Sequence, residues 1–147
     1  MKVTYAISLI TSVLIILFFY TAISKLLDLQ EFQRQLANQT LPQWSVGTLL
    51  WLIPASELVV TFLLIRPASR ISGLYGSFLL MILFTGYVGL VLLNVFARIP
   101  CSCGGVIRNM EFHEHFLFNL FFLILSVIGI YMSHKQRKGG YTATSDK

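Results

Sequence analysis

Four long stretches with almost no charge govern what this chain can fold into: Val3 to Ser24, Gly47 to Ile65, Gly73 to Ala97 and Phe116 to Met132. Polar residues do not recur in them at the 3.6 spacing that gives a soluble helix its wet face, so each run is apolar all round. A bilayer core takes about 20 mostly apolar residues per helix, and all four stretches are read as crossings, the fourth being the shortest. Only 12% of the residues are charged and 56% are apolar, with a mean hydropathy of +0.75; a soluble domain carries roughly a quarter charged residues.

The expected fold class is therefore all-α, a polytopic membrane protein built as a four-helix transmembrane bundle. Residues 1–135 form one domain and residues 136–147 a basic, disordered cytoplasmic tail. The first stretch has a competing reading as a cleaved signal peptide, with Lys2 before it and Ala22-Ile23-Ser24 at its end. Its apolar run exceeds the roughly 7–15 residues of a signal core, and a retained helix is expected.

Orientation follows from the distribution of Lys and Arg, which accumulate in short cytoplasmic loops. With four crossings, Lys2, Arg66, Arg70, Lys135, Arg137, Lys138 and Lys147 share one side, and Lys25, Arg34, Arg98 and Arg108 fall on the other. Both termini are therefore expected in the cytoplasm and the loop of Cys101 and Cys103 outside it, which is the periplasm if the membrane is a bacterial inner membrane. The basic run His134 to Lys138 then reads as a topology anchor, not as a nucleic-acid patch. Pro67 and Pro100 are expected to stop the second and third helices, and Trp44 and Trp51 to lie near the outer interface. Gly73, Gly76, Ser77, Gly86 and Gly89 are candidates for close helix contacts.

Chemistry concentrates in Pro100-Cys101-Ser102-Cys103-Gly104-Gly105, followed by Glu111, His113, His115 and Asn119. Thiols exposed outside the cytoplasm meet an oxidising setting, where they pair or exchange. A Cys-x-Cys disulfide needs Cα atoms within about 7 Å, and so small a ring is expected to be strained and reducible. Arg98 and Arg108 flank the pair and favour a thiolate. Glu111, His115 and Asn119 recur every four residues and so share a helix face, where His115 can give or take protons during exchange or close the bundle end by a structural hydrogen bond. Glu57 is the clearest ionisable residue inside a crossing. A carboxylate there is expected to face the bundle interior and be matched, with Lys25, Asn94 and Arg98 as candidate partners.

The chain resembles the MauE/DoxX family of redox-associated membrane proteins, the methylamine-utilisation MauE branch in particular. The resemblance rests on Ser24-Lys25 with Asp28, Phe32, Pro54 and Glu57, and the Pro100 to Gly105 motif followed by His115 and Asn119. It implies four transmembrane helices and a role in forming or handling disulfides of exported proteins, originally the disulfide-rich small subunit of methylamine dehydrogenase. Quinone-linked disulfide enzymes of the DsbB or vitamin K epoxide reductase type are similar bundles but relay electrons between two cysteine pairs. This chain has one pair. Cys101 and Cys103 would therefore meet a thioredoxin-like or cysteine-rich exported partner, or quinone directly.

Three functional classes fit these residues. In the first, Cys101 and Cys103 exchange disulfides with a partner, with His115 and Glu57 as the accompanying site residues. In the second, Cys101, Cys103, His113 and His115 bind zinc or copper. In the third, the bundle is a non-catalytic accessory subunit of a larger membrane complex.

Overall fold

The computed structural model describes residues 2–38, 42–93 and 112–142. Among the described residues five α-helices follow one another: α1 (Lys2–Leu27), α2 (Leu29–Ala37), α3 (Gln43–Ile65), α4 (Arg70–Leu92) and α5 (Phe112–Thr142). A 3₁₀ turn at Pro67–Ser69 joins α3 to α4, and no strand occurs among the described residues. Four helices are long and apolar enough to cross a membrane, over Val3–Leu27, Gln43–Ile65, Pro67–Leu90 and Glu114–Arg137. The chain is a multi-pass membrane protein.

Neighbouring helices are α1 with α3, α3 with α4, α4 with α5, and α5 with α1, a closed ring in which α1 stands diagonal to α4. Its core is apolar and closely filled: Leu14, Phe18, Leu64 and Leu74 are each at most 1% exposed. Large side chains such as Leu9, Ile16, Phe62, Leu79 and Leu117 point outward. In water that distribution would be a liability, whereas in lipid the outer face costs nothing and specificity comes from packing. Buried hydroxyls turn back onto their own helices, Thr61 Oγ1 donating to the Glu57 carbonyl at 2.8 Å, Ser77 Oγ to Gly73 and Ser126 Oγ to Phe122, both at 2.9 Å. Each thereby satisfies its donor without a partner helix.

Two departures from the sequence expectation concern helix ends. The fourth crossing, expected as the shortest, lies in the longest helix, and its helical geometry runs on through Thr142, past the expected start of the tail at 136. The stretch between the first two crossings, expected as a loop, contains α2. Asp28 caps it, its carboxylate accepting from the Glu31 backbone N–H at 3.2 Å, and Phe32 and Leu36 are buried against Val46 at the start of α3. The expected stop at Pro67 is observed: α3 ends at Ile65, Arg66 is extended, and Ser69 Oγ returns to the Leu63 carbonyl at 3.0 Å.

Tight seating of α4 on α3 depends on missing side chains. A Cβ on Gly73 would lie 2.7 Å from the Leu64 backbone nitrogen, and one on Gly76 would lie 2.8 Å from Val60 Cγ2, whereas Gly86 has nothing within 4 Å. Because Gly73 meets backbone, which cannot rotate away, Gly73→Ala should cost about 1–3 kcal/mol by overpacking. Gly86→Ala should be neutral or stabilise by up to about 1 kcal/mol through helix propensity. Denaturant unfolding of the two variants in detergent checks this; equal stabilities would show that the close α3–α4 approach does not matter.

Candidate functional site

The central polar group is an ion pair between α1 and α3. Lys25 lies in the last turn of α1, and its Nζ is 2.6 Å from Glu57 Oε1. Both side chains are enclosed, at 3% and 1% exposure. Glu57 stands roughly 21 Å from the Gln43 end of α3 and roughly 12 Å from the Ile65 end, at about 1.5 Å rise per residue, so the pair is well inside the bundle. The α1–α3 contact selects Lys25 among the expected partners; Asn94 and Arg98 lie outside the described residues. An isolated charge at this depth is expensive, and pairing is what makes either tolerable.

Local structure equips the pair further. Lys25 Nζ also donates to the Thr21 carbonyl at 3.5 Å, one turn back on α1. The Phe32 ring lies over the ammonium with its centroid 5.9 Å away, within cation–π range. The unforeseen α2 thus positions the ring that covers Lys25. Pro54, also buried, precedes Glu57 by three residues on α3; lacking an N–H, it withdraws one intrahelical hydrogen bond from the turn leading to the carboxylate.

On α5, His115 and Asn119 are 5% and 4% exposed, one turn apart, so their shared face does point into the bundle. Glu111, the third member expected there, lies outside the described residues. Among the described residues, four buried polar atoms in this half of the bundle have no protein partner: Glu57 Oε2, Asn119 Nδ2, His115 Nε2 and Thr85 Oγ1. A cavity of about 20 Å³ adjoins the ion pair, lined by Leu17, Phe18, Thr21, Glu57, Met81, Phe84, Phe118 and Asn119. Helices α1, α3, α4 and α5 all contribute to it.

Cys101 and Cys103 lie outside the described residues, as do Arg98 and Arg108. The segment carrying them joins the end of α4 to the start of α5, three residues before His115. Of the alternative metal ligands, His113 belongs to the first turn of α5, and the cysteines again fall outside. Among the described residues no three His, Cys, Asp or Glu side chains come together as a metal site. Sequence reasoning passed over Thr21 and Thr85; the signal for Thr21 was its position four residues before Lys25, on the same helix face.

No curated protein and no solved structure matches the chain. The profile of the family described as "Methylamine utilisation protein MauE" matches residues 3–132, a range that takes in the first three crossings and most of the fourth, the Lys25–Glu57 pair, the cysteine segment and the His115–Asn119 face. By that match the chain belongs to the MauE family.

Proposed function

We propose that this protein handles thiols and disulfides at the membrane surface, exchanging the Cys101/Cys103 pair with a thioredoxin-like or cysteine-rich exported partner. The observation that carries the reading is His115, a buried imidazole with an unpaired ring nitrogen, three residues after the point where the cysteine-bearing segment enters α5. Family membership and the charge asymmetry of the loops support it, the latter favouring cytoplasmic termini and a periplasmic cysteine segment in a bacterial inner membrane. Methylamine utilisation belongs to the family's name and is not part of the reading.

In the exchange a cysteine thiolate attacks one sulfur of the partner's disulfide. An S–S bond forms between the chains as the partner's own breaks, and the released partner thiolate takes a proton. The second cysteine then attacks the mixed disulfide, giving a Cys101–Cys103 disulfide and a reduced partner; the reverse sequence oxidises a partner dithiol. A single pair recharges only through a second redox partner: after reducing a partner it needs a thioredoxin-like dithiol or a quinol, and after oxidising one it needs a thioredoxin-like disulfide or a quinone. His115 serves as proton donor and acceptor, and Glu57 with Lys25 fixes the bundle beneath it.

Cys103, followed in the sequence by two glycines, is assigned the attack. Cys101→Ser should then accumulate a covalent adduct with the partner in cells, seen as a dithiothreitol-sensitive band. Absence of an adduct in both single cysteine variants, with stoichiometric zinc or copper in purified protein that is lost in His113→Ala, would replace exchange by metal binding.

A further inference from the structure

We propose that the cavity beside the ion pair is a binding site for a single water molecule, which completes the coordination of Glu57 and links it to α5. Glu57 and Asn119 both line the cavity, and each has one buried polar atom that no protein group satisfies, the acceptor Oε2 and the donor Nδ2. Thr21 lines it too, its hydroxyl donating to the Phe18 carbonyl at 3.2 Å and lying beside the Glu57 carboxylate. A water accepting from Asn119 and donating to Glu57 and Thr21 makes three hydrogen bonds, the usual number for a buried water.

There is room for a water, and charge and hydrogen bonding select it over other occupants. The volume of about 20 Å³ exceeds the roughly 10–15 Å³ needed for one water. A cation would face the Lys25 ammonium, already 2.6 Å from Glu57 Oε1, and an anion would face the unpaired carboxylate oxygen. An apolar occupant would leave both orphaned atoms unpaired. Only a small neutral molecule that both donates and accepts matches all three groups. Toward the Ile65 end the bundle is closed by Leu14, Leu64 and Leu74, none more than 1% exposed. Exchange with bulk water therefore runs through the half that holds His115 and Thr85. A water here also gives the Glu57 carboxylate a proton-exchange partner inside an otherwise apolar bundle.

Radiolytic hydroxyl-radical footprinting of the purified chain in detergent tests this, since radicals formed from a bound water oxidise only what lies beside it. Met81 lines the cavity yet is 4% exposed, so it should be oxidised, while Leu64 and Leu74 stay unmodified. Asn119→Leu, similar in shape but without the donor, should bring Met81 oxidation down to the unirradiated level. Thr21→Val, on another helix, should lower it too and serves if Asn119→Leu is not recovered folded by gel filtration and circular dichroism. An unmodified Met81 in the native protein, or oxidation unchanged in a folded variant, overturns the site. Neither result bears on trapping at Cys101, so the two readings fail separately.

Discussion

Lys25→Met should destabilise the bundle by about 3–5 kcal/mol, the range seen when one member of a buried ion pair is removed and the other is left unmatched. The charge left behind is Glu57, 1% exposed, with Oε2 already lacking a protein partner. Glu57→Leu should cost as much, because it strands the Lys25 ammonium between the Thr21 carbonyl and the Phe32 ring. Glu57→Gln keeps the shape and a hydrogen-bond acceptor, and should fold with a smaller loss. The double variant Lys25→Met/Glu57→Leu removes both charges and should recover most of the stability. With single losses of about 3–5 kcal/mol each and most of the stability recovered in the double variant, the two sites couple by about 5 kcal/mol or more, above the range of roughly 0.5–3 kcal/mol usual for contacting residues. Unfolding of the four proteins in one detergent measures this. Single variants within about 0.5 kcal/mol of the native protein, with additive effects, would mean that the pair neither packs nor orders the α1–α3 contact.

That such a pair would exist was legible from Glu57 alone, since an apolar run leaves a carboxylate no cheap alternative to a partner. Its identity was not, because Lys25, Asn94 and Arg98 all come from outer ends of crossings that neighbour α3, and only side-chain placement in the folded bundle brings Lys25 Nζ to Glu57. The four crossings were legible for a similar reason: hydropathy reports which residues sit in lipid. It does not report where helical hydrogen bonding stops, so α5 runs beyond both ends of its expected crossing, from Phe112 through the polar residues after Met132 to Thr142.

The helix α2 escaped for the opposite reason. Between Leu29 and Ala37 only Phe32 and Leu36 are buried, too few apolar residues to register against the runs on either side. The local cues were nevertheless present: Asp28 with Glu31 three residues on, the pattern of an N-cap and capping box, and two apolar residues spaced i, i+4. What α2 does could not be read locally, because the Phe32 ring reaches Lys25 only once α2 has folded back over the end of α1. The cavity is a product of assembly in the same sense, since Thr21, Glu57, Met81 and Asn119 come from four different helices.

If the exchange reading is right, His115→Phe should slow thiol transfer by about 10²–10⁴-fold, the usual contribution of a positioned general acid or base. The substitution suits the site: a buried ring replaces a buried ring at 5% exposure, and the unpaired Nε2 disappears instead of being left without a partner. Stability should consequently change by less than about 1.5 kcal/mol, as for core exchanges of similar volume. A structural role predicts the reverse, loss of stability with unchanged transfer per folded molecule. The pH profile of the transfer rate separates the two further, because removing the imidazole should abolish the limb it contributes while leaving any limb due to the cysteine thiols. His113→Ala is the internal control. Two residues away, it occupies a different helix face from His115 and should leave the rate near the native value, whereas a metal site using both histidines would lose occupancy in either variant. Native transfer rates and an unaltered pH profile in folded His115→Phe would remove His115 from the chemistry and leave the cysteines to exchange without a protein-borne proton carrier.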